Sequence, residues 1–307
     1  MILAAREGLS GQGLMPPALQ TFGEAVGENR NISGEGNDGR LIWAENLEGG
    51  LAVAEGASAE VLYFVGCLGS FFPSSYRVPQ AFVRILGAAG VTYDLLGEEE
   101  WCCGYPLLMV GMLDRAREQI EHNVEAVRKR DVSTVVMSCP SCYHAWKHLY
   151  PQALGEEVGV EVLHATEFLD SLVERGRLSL GELAMRVTYH DPCDLGRKGG
   201  IVEAPRRILK AIPGLELVEM ADHGDSSLCC GGGSNLETYD ADLMRQVSSQ
   251  RLEQALDTGA EAIITACTQC ERTLTAAARK KRARIRVMDI TELVWKAVQA
   301  AREAEMA

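Results

Sequence analysis

No stretch of this 307-residue chain stays apolar for the roughly 20 residues that a membrane-spanning helix requires; the longest run, VLYFVGCLGSFF at 61–72, falls well short. The opening MILAAREGLSGQ has neither a basic flank nor a long enough apolar core for a secretory signal, so a cytoplasmic location is expected. Positive charge is in deficit. Thirty Lys and Arg stand against 43 Asp and Glu, a net −13 that argues against nucleic acid or an anionic membrane surface as the main partner. Proline is sparse (10, against 31 Gly), and 47% hydrophobic with 24% charged residues is ordinary globular composition. The length suits one large domain or two of about 150 residues.

Cysteine is what the chain has in excess. Ten cysteines behind no export signal are unlike a disulfide framework, because cytosolic reductants keep thiols reduced, and read as metal ligands or redox thiols. They form two sets of five with one pattern: a lone Cys, then CCG, then CxxC. The first set is Cys67, Cys102, Cys103, Cys139 and Cys142; the second is Cys193, Cys229, Cys230, Cys267 and Cys270. Corresponding members lie 126 to 128 positions apart, and none is left over.

The repeat extends past the thiols. VLYFVGC67 matches VTYHDPC193, TVVMSCPSC142 matches AIITACTQC270, and VLHATEFL at 162–169 matches VMDITELV at 287–294. A period near 127 is too long for a solenoid and indicates a tandem duplication. Each half alternates β-branched apolar runs with helical periodicity, the signature of parallel α/β units. Strands are expected near 61–66, 91–96, 133–138 and 160–164, then near 186–190, 215–220, 262–266 and 284–288. Helices are expected near 16–26, 76–89, 109–129, 142–149, 166–175, 203–211, 238–257, 269–280 and 290–304.

The predicted fold is α/β: two Rossmann-like cysteine-rich domains at 61–180 and 181–307, preceded by a helical and loop arm or linker at 1–60. Cys67, Cys139, Cys193 and Cys267 then fall where a strand ends and a helix begins, at the sheet edge where open α/β folds bind ligands. A CxxC at a helix start also places its thiols in the positive end of the helix dipole.

Three assignments compete for five thiols. Disulfides meet the compartment argument and leave an odd thiol over. Structural zinc takes four ligands and wastes a fifth in both halves. An iron–sulfur centre fits best: it is thiolate-bound, and several irons let adjacent cysteines reach different metals. Glycine after the CC pair allows close backbone approach and N–H bonds to sulfur.

On these motifs the chain resembles the CCG cysteine-rich family of the heterodisulfide reductase catalytic subunits, both the B-type chain and the C-terminal part of the D-type chain. Similar domains occur in the iron–sulfur subunits of glycolate oxidase and anaerobic glycerol-3-phosphate dehydrogenase, and in the sulfite-reduction membrane complex. YHDPCDLGR at 189–197 and LCCGGGSN at 228–235 look most like the D-type branch. The resemblance covers about 61–300 and implies a noncubane [4Fe–4S] cluster on each complete set of five, with a disulfide substrate cleaved between the two. It also implies a role within a larger complex, peripheral to a membrane only through its partners.

D-type relatives carry ferredoxin-type cysteines that are absent from residues 1–60 here. A separate ferredoxin-like iron–sulfur partner, of the kind that accompanies the B-type chain, is therefore expected on the arm. A flavin-containing subunit or a membrane cytochrome is expected further along the electron path. The alternative is a non-catalytic electron-transfer subunit linking a flavoprotein to a quinone or membrane partner. Around the thiols, His190 and His144 read either as proton donors or as structural histidines, Arg197 and Lys198 as anion anchors or ion pairs, and Tyr105 as packing.

Overall fold

The computed structural model describes residues 2–54, 59–233 and 235–306; outside them lie residues 55–58 of the expected arm and Ser234 of the LCCGGGSN motif. Eight short strands form two four-stranded sheets. The first contains β1 (Val61–Phe64), β2 (Tyr93–Asp94), β3 (Thr134–Met137) and β4 (Glu161–His164). The second contains β5 (Met185–His190), β6 (Leu215–Leu217), β7 (Ala262–Thr265) and β8 (Arg286–Asp289). Their spatial orders are β2-β1-β3-β4 and β6-β5-β7-β8, and every pairing is parallel. The α/β tandem duplication expected from the sequence is the fold observed. VLYF and AIIT are buried along their whole length, as central strands of a sheet covered on both faces must be.

Fourteen α-helices are described. The segment before β1 holds α1 (Ile2–Gly11) and α2 (Pro17–Asn29). The first half holds α3 (Gly66–Phe71), α4 (Arg77–Ala88), α5 (Tyr105–Val110), α6 (Leu113–Arg128), α7 (Pro140–His144), α8 (Tyr150–Leu154) and α9 (Ala165–Glu174). The second holds α10 (Glu203–Ala211), α11 (Leu236–Tyr239), α12 (Ala241–Asp257), α13 (Thr268–Lys281) and α14 (Ile290–Met306). Equivalent helices start with the same device. In HATE, His164 Nδ1 accepts from Thr166 N while Glu167 accepts from His164 N. In DITE, Asp289 Oδ1 accepts from Thr291 N while Glu292 accepts from Asp289 N.

Several expected elements differ for local reasons. The helix expected over 109–129 is two, because Gly111 ends α5 in the left-handed conformation (φ +79°). The helix expected from 238 restarts at 241, where Asp240 caps α12 by accepting from Leu243 N. Between α7 and α8 the backbone widens into a π turn over 145–149, which accommodates Pro151 without the clash of a regular turn. The Gly- and Asn-rich stretch read as arm or linker folds at 37–44 into a 3-10 turn that buries Arg40 and Trp43 against the first half.

One hydrophobic core runs through both halves, joining Phe64, Met137 and Leu169 to Tyr189, Ile264 and Val294. Helix α14 packs on α4, and α10 on α9. At the junction Gly181 N donates to Ala297 O (2.8 Å), and a Cβ on Gly181 would stand 2.3 Å from Ala301 N, a backbone atom that cannot step aside. Gly181→Ala is therefore expected to cost about 1–3 kcal/mol in denaturant unfolding. Gly87→Ala, in α4 with open space around its Cβ, is expected to be neutral or stabilising.

Candidate metal centres

Strand register brings the thiols together. Phe64 is level with Met137, and His190 with Thr265, at the carboxyl ends of the paired central strands. Cys67 and Cys193 lie three residues past Phe64 and His190; Cys139 and Cys267 lie two past Met137 and Thr265. The two halves thus use identical offsets at the point where the connections diverge to opposite sides, the usual ligand site of such sheets. Each CxxC opens a helix: Cys267 Sγ accepts from Cys270 N at 3.3 Å, and Cys139 accepts from the N–H groups of Ser141 and Cys142.

The CCG loops close the sets. Gly104 and Gly231 both have left-handed φ (+74° and +85°), and a Cβ on Gly231 would stand 2.9 Å from Met244 O, so glycine is required there. This turn lets Gly231 N and Gly232 N donate to Cys229 Sγ (3.3 Å) and Cys230 Sγ (3.4 Å). In the first half, electrostatic contacts between the thiols run from Cys67 to Cys102, Cys103, Cys142 and Cys139 in turn. In the second they run from Cys193 to Cys229 (4.0 Å), Cys230, Cys270 (3.3 Å from Cys230) and Cys267, the same order. All ten cysteines are free thiols.

Crowding splits their acidities. Hydrogen bonds from Cys102 and Cys142 hold Cys103 down at about 6, and bonds from Cys193 and Cys230 hold Cys229 well below the usual thiol range. Their neighbours move the other way. Cys67, Cys142, Cys230 and Cys270 are pushed up, first by adjacent thiols and then by burial. A metal held by either set would have to displace protons from the raised thiols, and its affinity would rise with pH.

Each set has a buried arginine beside it. Arg40 donates to Cys67 Sγ at 3.6 Å and pairs with Glu100 at 2.7 Å; Glu100 in turn accepts from Val65 N and Gly66 N, both at 2.9 Å. Arg251 is fully buried, yet its hydrogen bonds go to neutral acceptors: His190 Nδ1 (2.9 Å), Ser227 Oγ (3.0 Å), Asp222 O and Gln254 Oε1 (both 2.7 Å). Burial pulls its pKa down, against the attraction of Asp191, Asp222, Cys270 and Cys230. A cation buried without a bonded anion is costly. Ionised thiols around a metal centre would supply the missing negative charge, so the residues of the second set fit an anionic thiolate-bound cluster.

The halves are tied between the two sets. Asp194, next to Cys193, accepts from Tyr105 Oη (3.1 Å) and Ser141 Oγ (2.7 Å) of the first half and pairs with Lys198 (2.6 Å), which also donates to Tyr105 Oη (2.7 Å). Cavities adjoin both sets. That of the first, about 350 Å³, is bordered by Ser141 and by Gln269 and Arg272 of the second half. That of the second, about 520 Å³, is largely apolar, with Leu9, Leu14, Leu19, Met109 and Val247 around Cys193 and Cys229. Gly233 and Asn235 border both.

The flanking residues divide. Tyr105 has packing and a polar tip together, Lys198 is an ion pair, and Arg197 donates to the carbonyls of Asp225 and Ser227. His144 is half-buried, and burial lowers its pKa. His190 is buried, and burial with the Arg251 charge pushes it down to about 3. Sequence reasoning missed Arg40 and Arg251. The second was detectable, since Ser248, Arg251, Leu252 and Ala255 form the buried stripe of α12, where an arginine is out of place.

A family model described as the cysteine-rich domain, CCG, matches residues 61–147 and 187–275. The chain is 35% identical over 298 residues to the D-type chain of the dihydromethanophenazine:CoB–CoM heterodisulfide reductase of Methanosarcina acetivorans, covering 95% of this chain and 71% of that one. It is 32% identical over 304 residues to an EtfAB:quinone oxidoreductase of Syntrophomonas wolfei, covering 94% of this chain and 42% of the relative. Among solved structures, a hypothetical protein from Helicobacter pylori shares the fold at a TM-score of 0.60 and 11% identity, over 84% of this chain and 53% of that one.

Glu100→Ala would leave Arg40 buried and unpaired and strip two backbone N–H groups of their acceptor. A loss of about 3–5 kcal/mol is expected in urea unfolding, and a smaller one when Arg40→Met is already present.

Proposed function

Because the chain belongs to the cysteine-rich CCG domain family and carries both sets of five thiols, we propose that it is an iron–sulfur oxidoreductase subunit that cleaves a disulfide. The two domains, 61–180 and 181–307, each hold one [4Fe–4S] centre of noncubane type, through Cys67, Cys102, Cys103, Cys139 and Cys142 and through Cys193, Cys229, Cys230, Cys267 and Cys270. The observation that carries this reading is the identical order of thiol contacts in the two halves, at the same edge of two like sheets, with cavities that share a border. The heterodisulfide reductase among the relatives points to sulfur chemistry.

The reaction is R–S–S–R′ + 2 e⁻ + 2 H⁺ → RSH + R′SH. Iron–sulfur centres bound at the two sets would supply the electrons one at a time. The chain itself places the substrate. Leu68, Phe72 and Pro106 exclude water on the first side, and Leu236 and Val247 on the second. Gln269, whose side chain borders the first cavity, offers hydrogen bonds there. The Asp194 bridge fixes the distance between the two sides.

Electrons come from a ferredoxin-like partner docked on the segment before β1, where Leu9 and Leu14 are exposed, and beyond it from a flavin-containing subunit or a membrane cytochrome. No helix among the described residues is long and apolar enough to cross a membrane. The second reading, electron transfer between a flavoprotein and a quinone partner, is favoured by the similarity to EtfAB:quinone oxidoreductase.

Turnover of a panel of low-molecular-weight disulfides with a reduced dye, under anaerobic conditions, separates the readings. Cys102→Ser and Cys229→Ser are each expected to lose more activity than the roughly 10- to 100-fold typical of losing an outer-shell partner of a metal. Full activity in Cys229→Ser would contradict disulfide cleavage between two centres. Rapid reduction by the dye with no turnover of any disulfide would assign the electron-transfer role.

A further inference from the structure

His190 stands three residues before Cys193, where the first half has Phe64 three residues before Cys67. Phe64 packs edge-on against Trp146 and offers no polar atom, so whatever His190 does is done in the second half alone. One ring nitrogen of His190 lies within 4.8 Å of both Cys230 Sγ and Cys270 Sγ. Taken alone, that grouping resembles three ligands of a zinc site.

The hydrogen bond on the other side of the ring excludes it. Arg251 Nε donates to His190 Nδ1 at 2.9 Å. A guanidinium has donors only, so Nδ1 must present a lone pair. The neutral ring then carries its hydrogen on Nε2, and neither nitrogen is left to ligate a metal. His190 Nε2 is buried and has no hydrogen-bond partner, an N–H left unmet at high cost unless an acceptor arrives. Sulfur is the acceptor that the surroundings offer.

We propose that His190 is an Nε2–H donor to sulfur of the second centre, and that Arg251 is the positioning residue that sets its tautomer and holds a positive charge behind it. This rests on the reading that the second set of thiols holds an iron–sulfur centre. An N–H bond to sulfur and a buried cation both stabilise the more negative, reduced state. The first centre lacks the imidazole, and its own cation, Arg40, is neutralised by Glu100. The second centre is therefore the better electron acceptor of the two.

The test is an EPR-monitored redox titration of the anaerobically purified full chain with iron analysis, on wild type, His190→Leu, His190→Gln and Arg251→Met. Cys102→Ser identifies which signal belongs to the first set. His190→Leu and Arg251→Met are expected to lower the midpoint potential of the second centre and leave the first in place. His190→Gln, which keeps an N–H, restores part of the shift. Gly231 N, Gly232 N and Cys270 N also donate to thiols of the second set, so pulsed EPR is run on wild type carrying ring-¹⁵N histidine. It should show a weak, hydrogen-bond-mediated imidazole ¹⁵N coupling at the second centre that is lost in His190→Leu. This spectrum decides the matter even where a variant fails to load iron. A strong coupling from a directly bonded nitrogen, or no imidazole ¹⁵N coupling in a loaded second centre, would overturn the proposal alone. A second set without iron would overturn the reading of function, and the proposal with it.

Discussion

Five thiols packed side by side in an apolar interior cannot all ionise unless positive charge arrives with them. That constraint organises the molecule. Parallel strands in matched register deliver two of the five by offsets common to both halves. Left-handed glycines turn a neighbouring cysteine pair inward, and a helix start supplies the last. Without metal the cluster settles by sharing protons, one thiol becoming more acidic while its neighbours become less so. The buried arginines divide on the same balance: Arg40 beside the first set is met by Glu100, whereas Arg251 beside the second has no bonded anion until the thiols around it ionise.

The duplication is faithful in its ligands and unfaithful around them. The first set has Arg40 held by a carboxylate and a cavity with polar groups at its border; the second has a neutral imidazole backed by an unpaired guanidinium and a largely apolar cavity. Two like centres in such unlike surroundings would hold electrons with different strength, and a substrate lying across them would meet different chemistry at its two ends. Asp194 makes the pair one device, since its carboxylate grips Ser141, between two ligands of one half, from a position beside a ligand of the other.

Much of this was legible in the residues. Strand and helix order, the duplication and both sets of thiols follow from local pattern, because a strand of the type AIIT and a cysteine at its end need no distant information. The helix break at Gly111 and the restart at Asp240 carried sequence signals outweighed by longer periodicity. Arg40 was illegible for a different reason. It lies in a polar, Gly-rich stretch that looks like a linker, and its burial depends on Glu100, sixty residues away, and on the Cys67 thiol. Tertiary partners of that kind leave no periodic trace. Arg251 did leave one, as a charge on the buried stripe of an amphipathic helix.

The most direct test of the account is the iron and acid-labile sulfide content of anaerobically purified chain, taken with its Mössbauer spectrum. Two polynuclear centres predict iron and sulfide for two [4Fe–4S] units, falling by half when either set loses a cysteine. Zinc in place of iron, or iron that one set alone can hold, would contradict it.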